Sequence, residues 1–246
     1  MYVHFGAYGT ACINTLNGII LWKQENLYCK HVQGPGSSPI IYKDLLILHM
    51  EGTDVQYLCA LNKKTGEIVW KTERETKYYE HVEPINKKAY ITPVVITIQG
   101  KDLLISNGAV YCAAYDPLTG KEIWKVVFGD DSTISMPLFA NGLVIFNTGS
   151  VFPPEGNAFS KIFAVDPNGE GDITSTNIRW EVINEALQLG TPVSADGLLY
   201  IVNSKNIATC IDVETGKKHL ERKIKRQIQC FSGLCKWVNL FSRNKG

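Results

Sequence analysis

The residues best able to do chemistry in this chain are oxygen donors at alternate positions, Asp166-x-Asn168-x-Glu170-Gly171-Asp172. Alternating carboxylate and amide oxygens around a glycine are how a calcium loop begins. The bidentate acid that would close such a loop is missing, since position twelve is Asn177. Asp, Asn and Gly are also ordinary turn formers, so the metal expectation is none, with Asp166, Asn168, Glu170 and Asp172 as the weak candidates. His4, His31, His49, His81 and His219 lie apart in sequence, with no i, i+4 pair and no neighbouring cysteine pair, which argues against zinc. Cys12, Cys29, Cys59, Cys112 and Cys210 stand singly, mostly in β-rich runs, and read as small apolar packing residues. The stretch from Arg74 to Glu83 is polar and aromatic; it reads as a solvated connection or as a loop surface built from Arg74, Tyr78, Tyr79 and His81. No nucleophile–base set or phosphate loop stands out, so no catalytic residue is assigned and cofactor-binding residues stay open.

The whole-chain totals narrow the classes. The chain has 246 residues, 45 % of them hydrophobic, with 25 basic and 24 acidic side chains. Such a balance argues against nucleic acid as a partner. No apolar run reaches the roughly 18 residues of a transmembrane helix. Seven cysteines are too dilute for a disulfide scaffold.

What must position these residues is a repeat. Asn62-Lys63-Lys64-Thr65-Gly66-Glu67-Ile68-Val69-Trp70 matches Asp116-Pro117-Leu118-Thr119-Gly120-Lys121-Glu122-Ile123-Trp124. Asn14 to Trp22, through Gly18, is a third copy, and Asp212 to Leu220, through Gly216, a fourth with Leu in the Trp place. A fifth is interrupted, running from Asp166-Pro167-Asn168-Gly169 through an insertion to Arg179-Trp180. A second marker keeps the same beat: Ser38-Pro39, Thr92-Pro93, Met136-Pro137 and Thr191-Pro192 each open an apolar run. Gly18, Gly66 and Gly120 are 48 and 54 residues apart, a spacing that fits four-stranded propeller blades rather than helical repeats. The glycine after threonine supplies a positive φ that bulkier residues resist. The Trp beyond it, on the fourth strand, is placed to lie across the seam between neighbours. The expected fold is therefore all-β: a β-propeller of four-stranded antiparallel blades.

The Thr-Gly turn followed by Trp resembles the pyrroloquinoline-quinone (PQQ) repeat of the quinoprotein alcohol dehydrogenase-like superfamily. The copies look most like uncharacterised bacterial PQQ-binding-like propellers, and more distantly like the outer-membrane assembly lipoprotein. The resemblance implies rings of seven or eight blades, whereas the units here are 39–71, 93–126, 137–182 and 192–224, with only later strands in 2–23. About four blades plus a partial one leave edges that a closed ring would cover. The expectation is an incomplete propeller over 1–224, a truncated fragment partnered by the missing blades of its own ring. After Lys225 the pattern stops. Permitted codons for Ile228 to Gly246, read one base later, restore a blade opening, Ser-Pro-Val-Tyr-Ala-Asn-Gly; residues 225–246 are thus expected to be a frameshifted, non-native tail in which Cys230, Cys235 and Trp237 carry no structural meaning.

In enzymes of the resembled superfamily the quinone stacks on a Trp floor, under a disulfide of adjacent cysteines, with calcium held by Glu, Asn and Asp. No adjacent cysteines occur here, and the repeat Trp residues Trp22, Trp70, Trp124 and Trp180 are accounted for by blade packing. No cofactor is expected on this reading. The function expected is a non-catalytic binding scaffold that recognises a protein or polymer through loops or central channel. The alternatives are a PQQ- or calcium-dependent oxidoreductase and an outer-membrane assembly-type lipoprotein propeller. Family resemblance implies a periplasmic or extracytoplasmic location.

Overall fold

Alternating apolar residues between tight turns produce sheets, and the computed structural model shows them over the described residues, 1–129, 131–149, 160–184 and 190–224. The first sheet has three strands, β1 (Tyr2–His4), β2 (Thr10–Ile13) and β3 (Ile20–Gln24). The second runs β4 (Ile40–Tyr42), β5 (Leu45–Glu51), β6 (Gln56–Asn62) and β7 (Ile68–Glu73). The third runs β8 (Val94–Ile98), β9 (Lys101–Asn107), β10 (Tyr111–Tyr115) and β11 (Glu122–Val127). The fourth contains β12 (Leu138–Ala140), β13 (Leu143–Asn147), β14 (Ser160–Val165) and, after a short β15 (Gly171–Asp172), β16 (Ile178–Asn184). The fifth is β17 (Val193–Ala195), β18 (Leu198–Val202), β19 (Ile207–Asp212) and β20 (Lys218–Lys223). Within each blade the strands pair antiparallel in chain order. The fold is an incomplete β-propeller. Residues 225–246, with Cys230, Cys235, Trp237 and the shifted-frame reading, lie outside the described residues.

The turn before the fourth strand is built the same way in each uninterrupted copy. Asn62 Oδ1 accepts the amides of Lys64 (2.9 Å) and Thr65 (3.3 Å), and Asp116 Oδ1 accepts those of Leu118 (2.8 Å) and Thr119 (3.1 Å). The glycine amide then closes onto the carbonyl that opened the turn, Gly66 to Asn62 and Gly120 to Asp116, both at 2.8 Å. Each such glycine has positive φ, from +70° to +77° at Gly216, Gly120, Gly18 and Gly66.

A β-bulge follows in every blade. Ala60 pairs with Trp70 while Leu61 pairs with Ile68, leaving Val69 as the extra residue. The same shift falls between Cys12 and Ile13, Ala114 and Tyr115, Ala164 and Val165, and Cys210 and Ile211. Because strand side chains alternate, one inserted residue reverses the face on which the next one lies. The bulge thus aims each Trp at the following blade.

There the Trp meets the next turn. Trp22 Nε1 donates to Lys63 O at 3.0 Å, Trp70 Nε1 to Pro117 O at 3.2 Å, and Trp180 Nε1 to Val213 O at 2.8 Å. The rings lie on Gly66, Gly120 and Gly216; a Cβ at Gly66 or Gly120 would come within 2.5 Å of the indole. Apolar clusters then fill the seams, such as Trp22 with Leu46, Leu48, Cys59 and Leu61.

The third seam departs from this pattern. The insertion in blade four replaces the Thr-Gly turn, and its β15 pairs parallel with β11, Gly171 opposite Trp124. The inserted segment is therefore a fifth strand on the preceding blade, tied by Ile173 N to Lys125 O (2.9 Å) and Val127 N to Thr174 Oγ1 (2.8 Å). Trp124 is fully buried and its Nε1 has no hydrogen-bond partner.

Candidate functional site

Antiparallel order puts the β4–β5 and β6–β7 turns at one end of each blade. The second-to-third strand loops and the crossovers between blades lie at the other, and the buried ionisable residues His49, Glu51, Arg74, Lys88 and Asp131 gather at this crossover end.

Arg74 follows β7 directly. The expectation of a loop surface at Arg74, Tyr78, Tyr79 and His81 is corrected here: Arg74 and Tyr79 are buried, Tyr78 is half-buried, and only His81 is exposed. The Arg74 guanidinium turns inward to Glu51 at the end of β5, Nε to Oε1 at 3.0 Å. It also donates to Tyr79 Oη (2.8 Å), Tyr115 Oη (3.3 Å) and Tyr111 O, and stacks 3.7 Å from the Tyr111 ring centroid. Glu51 Oε2 accepts the Ala109 amide at 2.8 Å. Gly108 makes room, since a Cβ there would lie 2.1 Å from Glu51 Oε1. Burial pushes the Glu51 carboxyl up to about 6 against the pull of Arg74 and of the Ala109 amide. This pair bridges blades two and three, and its charges neutralise each other with no space left for a substrate. It is a seam, polar where the Trp seam is apolar.

Sequence reading missed Glu51, whose signal was the sudden His49-Met50-Glu51 after four aliphatic residues. His49 is equally buried and bonds Ser106 Oγ across the same seam at 2.9 Å.

The oxygen donors of the insertion do not converge. Asp166 Oδ1 accepts the Asn168 amide (3.0 Å) and side chain (2.8 Å), and its Oδ2 meets Arg179 at 2.5 Å. Asp172 Oδ1 accepts the amide and hydroxyl of Thr174. Asn168, apart from its bond to Asp166, and Glu170 are exposed. Among the described residues no group of three or more His, Cys, Asp or Glu is placed to hold a metal ion. Cys12, Cys29, Cys59, Cys112 and Cys210 are buried and free, and burial pushes Cys29 and Cys59 up to about 12. Against a quinone the described residues fit poorly: none of their cysteines is adjacent to another, the acids are spread through turns, and Trp22, Trp70, Trp124 and Trp180 all sit between blades.

The crossover end also carries a cleft of about 410 Å³, lined by Gln33, Gly36, Tyr90, Thr92, Ile134 and Met136. These come in pairs from three successive crossovers, just before Ser38-Pro39, Thr92-Pro93 and Met136-Pro137. Neighbouring crossovers are stitched by hydroxyls, with Ser38 N donating to Thr92 Oγ1 (3.0 Å) and Met136 N to Thr191 Oγ1 (3.3 Å). Between them the Met side chain at 136 has no hydroxyl to offer, and there the wall is apolar. The cleft is open to solvent rather than enclosed, apolar at Tyr90, Ile134 and Met136 and polar at Gln33 and Thr92.

Comparison with known proteins agrees with this architecture. The BamB structure from Moraxella catarrhalis superposes with a TM-score of 0.60 at 12 % identity, over 88 % of this chain and 58 % of that one. The quinohemoprotein alcohol dehydrogenase ADHIIG from Pseudomonas putida HK5 gives 0.58 at 16 % identity, over 92 % and 41 %. Sqt1 from Saccharomyces cerevisiae gives 0.56 at 13 %, over 88 % and 57 %. At these identities the likeness is one of fold, and the chain spans little more than half of such proteins or less. No curated protein sequence matches it. The sequence profile described as outer membrane protein assembly factor BamB matches residues 2–222, nearly the whole described chain, and the protein belongs to that PQQ-type repeat family.

Proposed function

We propose that this chain is a non-catalytic binding scaffold, part of an extracytoplasmic propeller that recognises a polypeptide partner along its crossover end. The cleft between three successive crossovers carries this reading, because it combines a tyrosine ring, an isoleucine and a methionine with side-chain amide and hydroxyl groups on a rigid frame. Membership of the BamB-described family supports a protein partner and a location at the cell envelope. Among the described residues no helix is long and apolar enough to cross a membrane.

The two ends of the blade series support a further part of the proposal. The Gly18 turn has nothing within 4 Å of its Cβ position, and Leu220, in the Trp place, is 42 % exposed. They are opposite halves of the joint seen at Trp22–Gly66, and further blades of the same repeat are the partners that fit them.

Incubation with PQQ and calcium ions, followed by desalting, tests the absence of catalysis. The reading predicts no retained quinone absorbance and no alcohol-dependent dye reduction. Stoichiometric retention with dye reduction would make the protein a quinoprotein.

A further inference from the structure

The crossovers are joined by a repeated stitch. The amide of the residue before a blade-opening proline turns to the next crossover, where a hydroxyl accepts it: Ser38 N donates to Thr92 Oγ1 at 3.0 Å and Met136 N to Thr191 Oγ1 at 3.3 Å. Thr92 stands at the same position, before Pro93, and its counterpart in the next crossover is Met136. A thioether is only a weak acceptor, and among the described residues the Thr92 amide donates to no other group. The same crossover already turns toward its neighbour two residues earlier, where Tyr90 N donates to Thr133 O at 2.8 Å. By the geometry of the other stitches, the amide left over faces the Met136 side chain, and both residues line the cleft.

The rest of the lining has the same bias toward donors. Thr92 Oγ1 accepts from Ser38, so its own hydroxyl proton remains to be given. Tyr90 Oη donates to Gln33 Oε1, which leaves the two protons of the exposed Gln33 side-chain nitrogen. None of the lining residues carries a charge, and Tyr90, Ile134 and Met136 supply apolar walls. Uncharged donors beside apolar walls suit a neutral acceptor attached to an apolar body, which is what a peptide carbonyl next to an aliphatic side chain offers.

We infer that the cleft takes an extended peptide segment by its main chain, the Thr92 amide donating to a peptide carbonyl where Met136 interrupts the stitch. An aliphatic side chain beside that carbonyl packs against Tyr90, Ile134 and Met136. This contact deepens the polypeptide reading and rests on it. Main-chain hydrogen bonds give affinity, and the wall selects the neighbouring side chain. Met136 is the residue that keeps the site open, since a hydroxyl at that position would take the Thr92 amide for the fold.

Two measurements on the 15N-labelled full chain test it. Without ligand, amide hydrogen exchange is expected to be about tenfold faster at Thr92 than at Ser38 and Met136, and Met136→Thr is expected to slow Thr92 to their level. Titration with acetyl-Ala-Leu-Ala-amide is expected to shift the Thr92 amide resonance saturably. Met136→Leu, which keeps the wall and adds no acceptor, is expected to retain this binding, and Met136→Thr to weaken it about tenfold. Should Met136→Thr fail to fold, Met136→Ser, with the residue type found at position 38, takes its place. Thr92 as protected as Ser38 in the parent, or a hydroxyl variant that binds as tightly as the parent, overturns the inference. Saturable shifts at Gln33 and Ile134 with Thr92 unmoved overturn it and leave the polypeptide reading standing, whereas no saturable shift at any lining residue removes both.

Discussion

Trp22 lies flat on Gly66, in the next blade, so closely that a Cβ on the glycine would sit 2.5 Å from the ring. Gly18 is the same residue in the same turn, with φ of +72° against +77°, and nothing covers it. Gly18→Ala therefore bears only the left-handed backbone penalty, about 1–2 kcal/mol. Gly66→Ala bears that penalty and an overpacked seam, about 1–3 kcal/mol more. Urea unfolding midpoints of the two variants should differ accordingly, and equal midpoints would show that Trp22 does not bind the turn.

Trp70 and Trp124 give the converse comparison. Trp70→Phe removes the indole bond to Pro117 O, a loss of about 1 kcal/mol beyond the change in ring size. Trp124 makes no such bond, because β15 occupies the place of the turn. Trp124→Phe should thus cost about 1 kcal/mol less than Trp70→Phe in thermal unfolding.

Arg74 and Glu51 are mutually dependent. Removing the guanidinium in Arg74→Met leaves a carboxylate enclosed beneath Gly108, a loss of about 3–5 kcal/mol. The double variant Arg74→Met, Glu51→Met leaves no charge unpaired and should be more stable than the single Arg74→Met. Greater instability of the double variant would contradict the pairing.

Acid should loosen the fold through histidine. Burial holds His4 down to about 4, and burial with the charges of Lys88 and His4 does the same for His31, against an ordinary value of 6.5. Fully buried His49 moves in the same direction. Between pH 6.5 and about 4 the unfolded chain takes up protons that the folded chain refuses, so stability is complete above pH 6.5 and falls through that window. Glu51, raised to about 6, acts oppositely below that pH, but three imidazoles oppose one carboxyl. Unfolding midpoints measured from pH 7 to pH 4 should fall, and His4→Asn should flatten the curve.

These comparisons also mark what the sequence reveals. The Thr-Gly turns and the Trp after them are local chemistry, so strand order, blade pairing and the aromatic seam could be read from spacing. The bulge before each Trp could not, because it lies in the pairing between strands and has no residue signature of its own. Nor could the fate of the insertion: Asp166 to Asp172 has the composition of a ligand loop, but its backbone adds a strand to a neighbour far away in sequence. Arg74 misled for a similar reason. Beside Glu75 and Lys77 it looks solvated, and only the turn of the chain after β7 carries it under Gly108 to Glu51. The open stitch at Thr92 could not be read either, since the group its amide faces is a property of the assembled crossovers.

Photo-crosslinking in intact cells, with a benzoylphenylalanine placed at Gln33 or Met136 in the cleft and at Lys64 or Leu118 on the opposite turns, tests the binding end most directly. The account predicts one discrete protein adduct of the same mass from both cleft positions and none from the turn positions. Adducts from the turns alone, or equally from both ends, would contradict it.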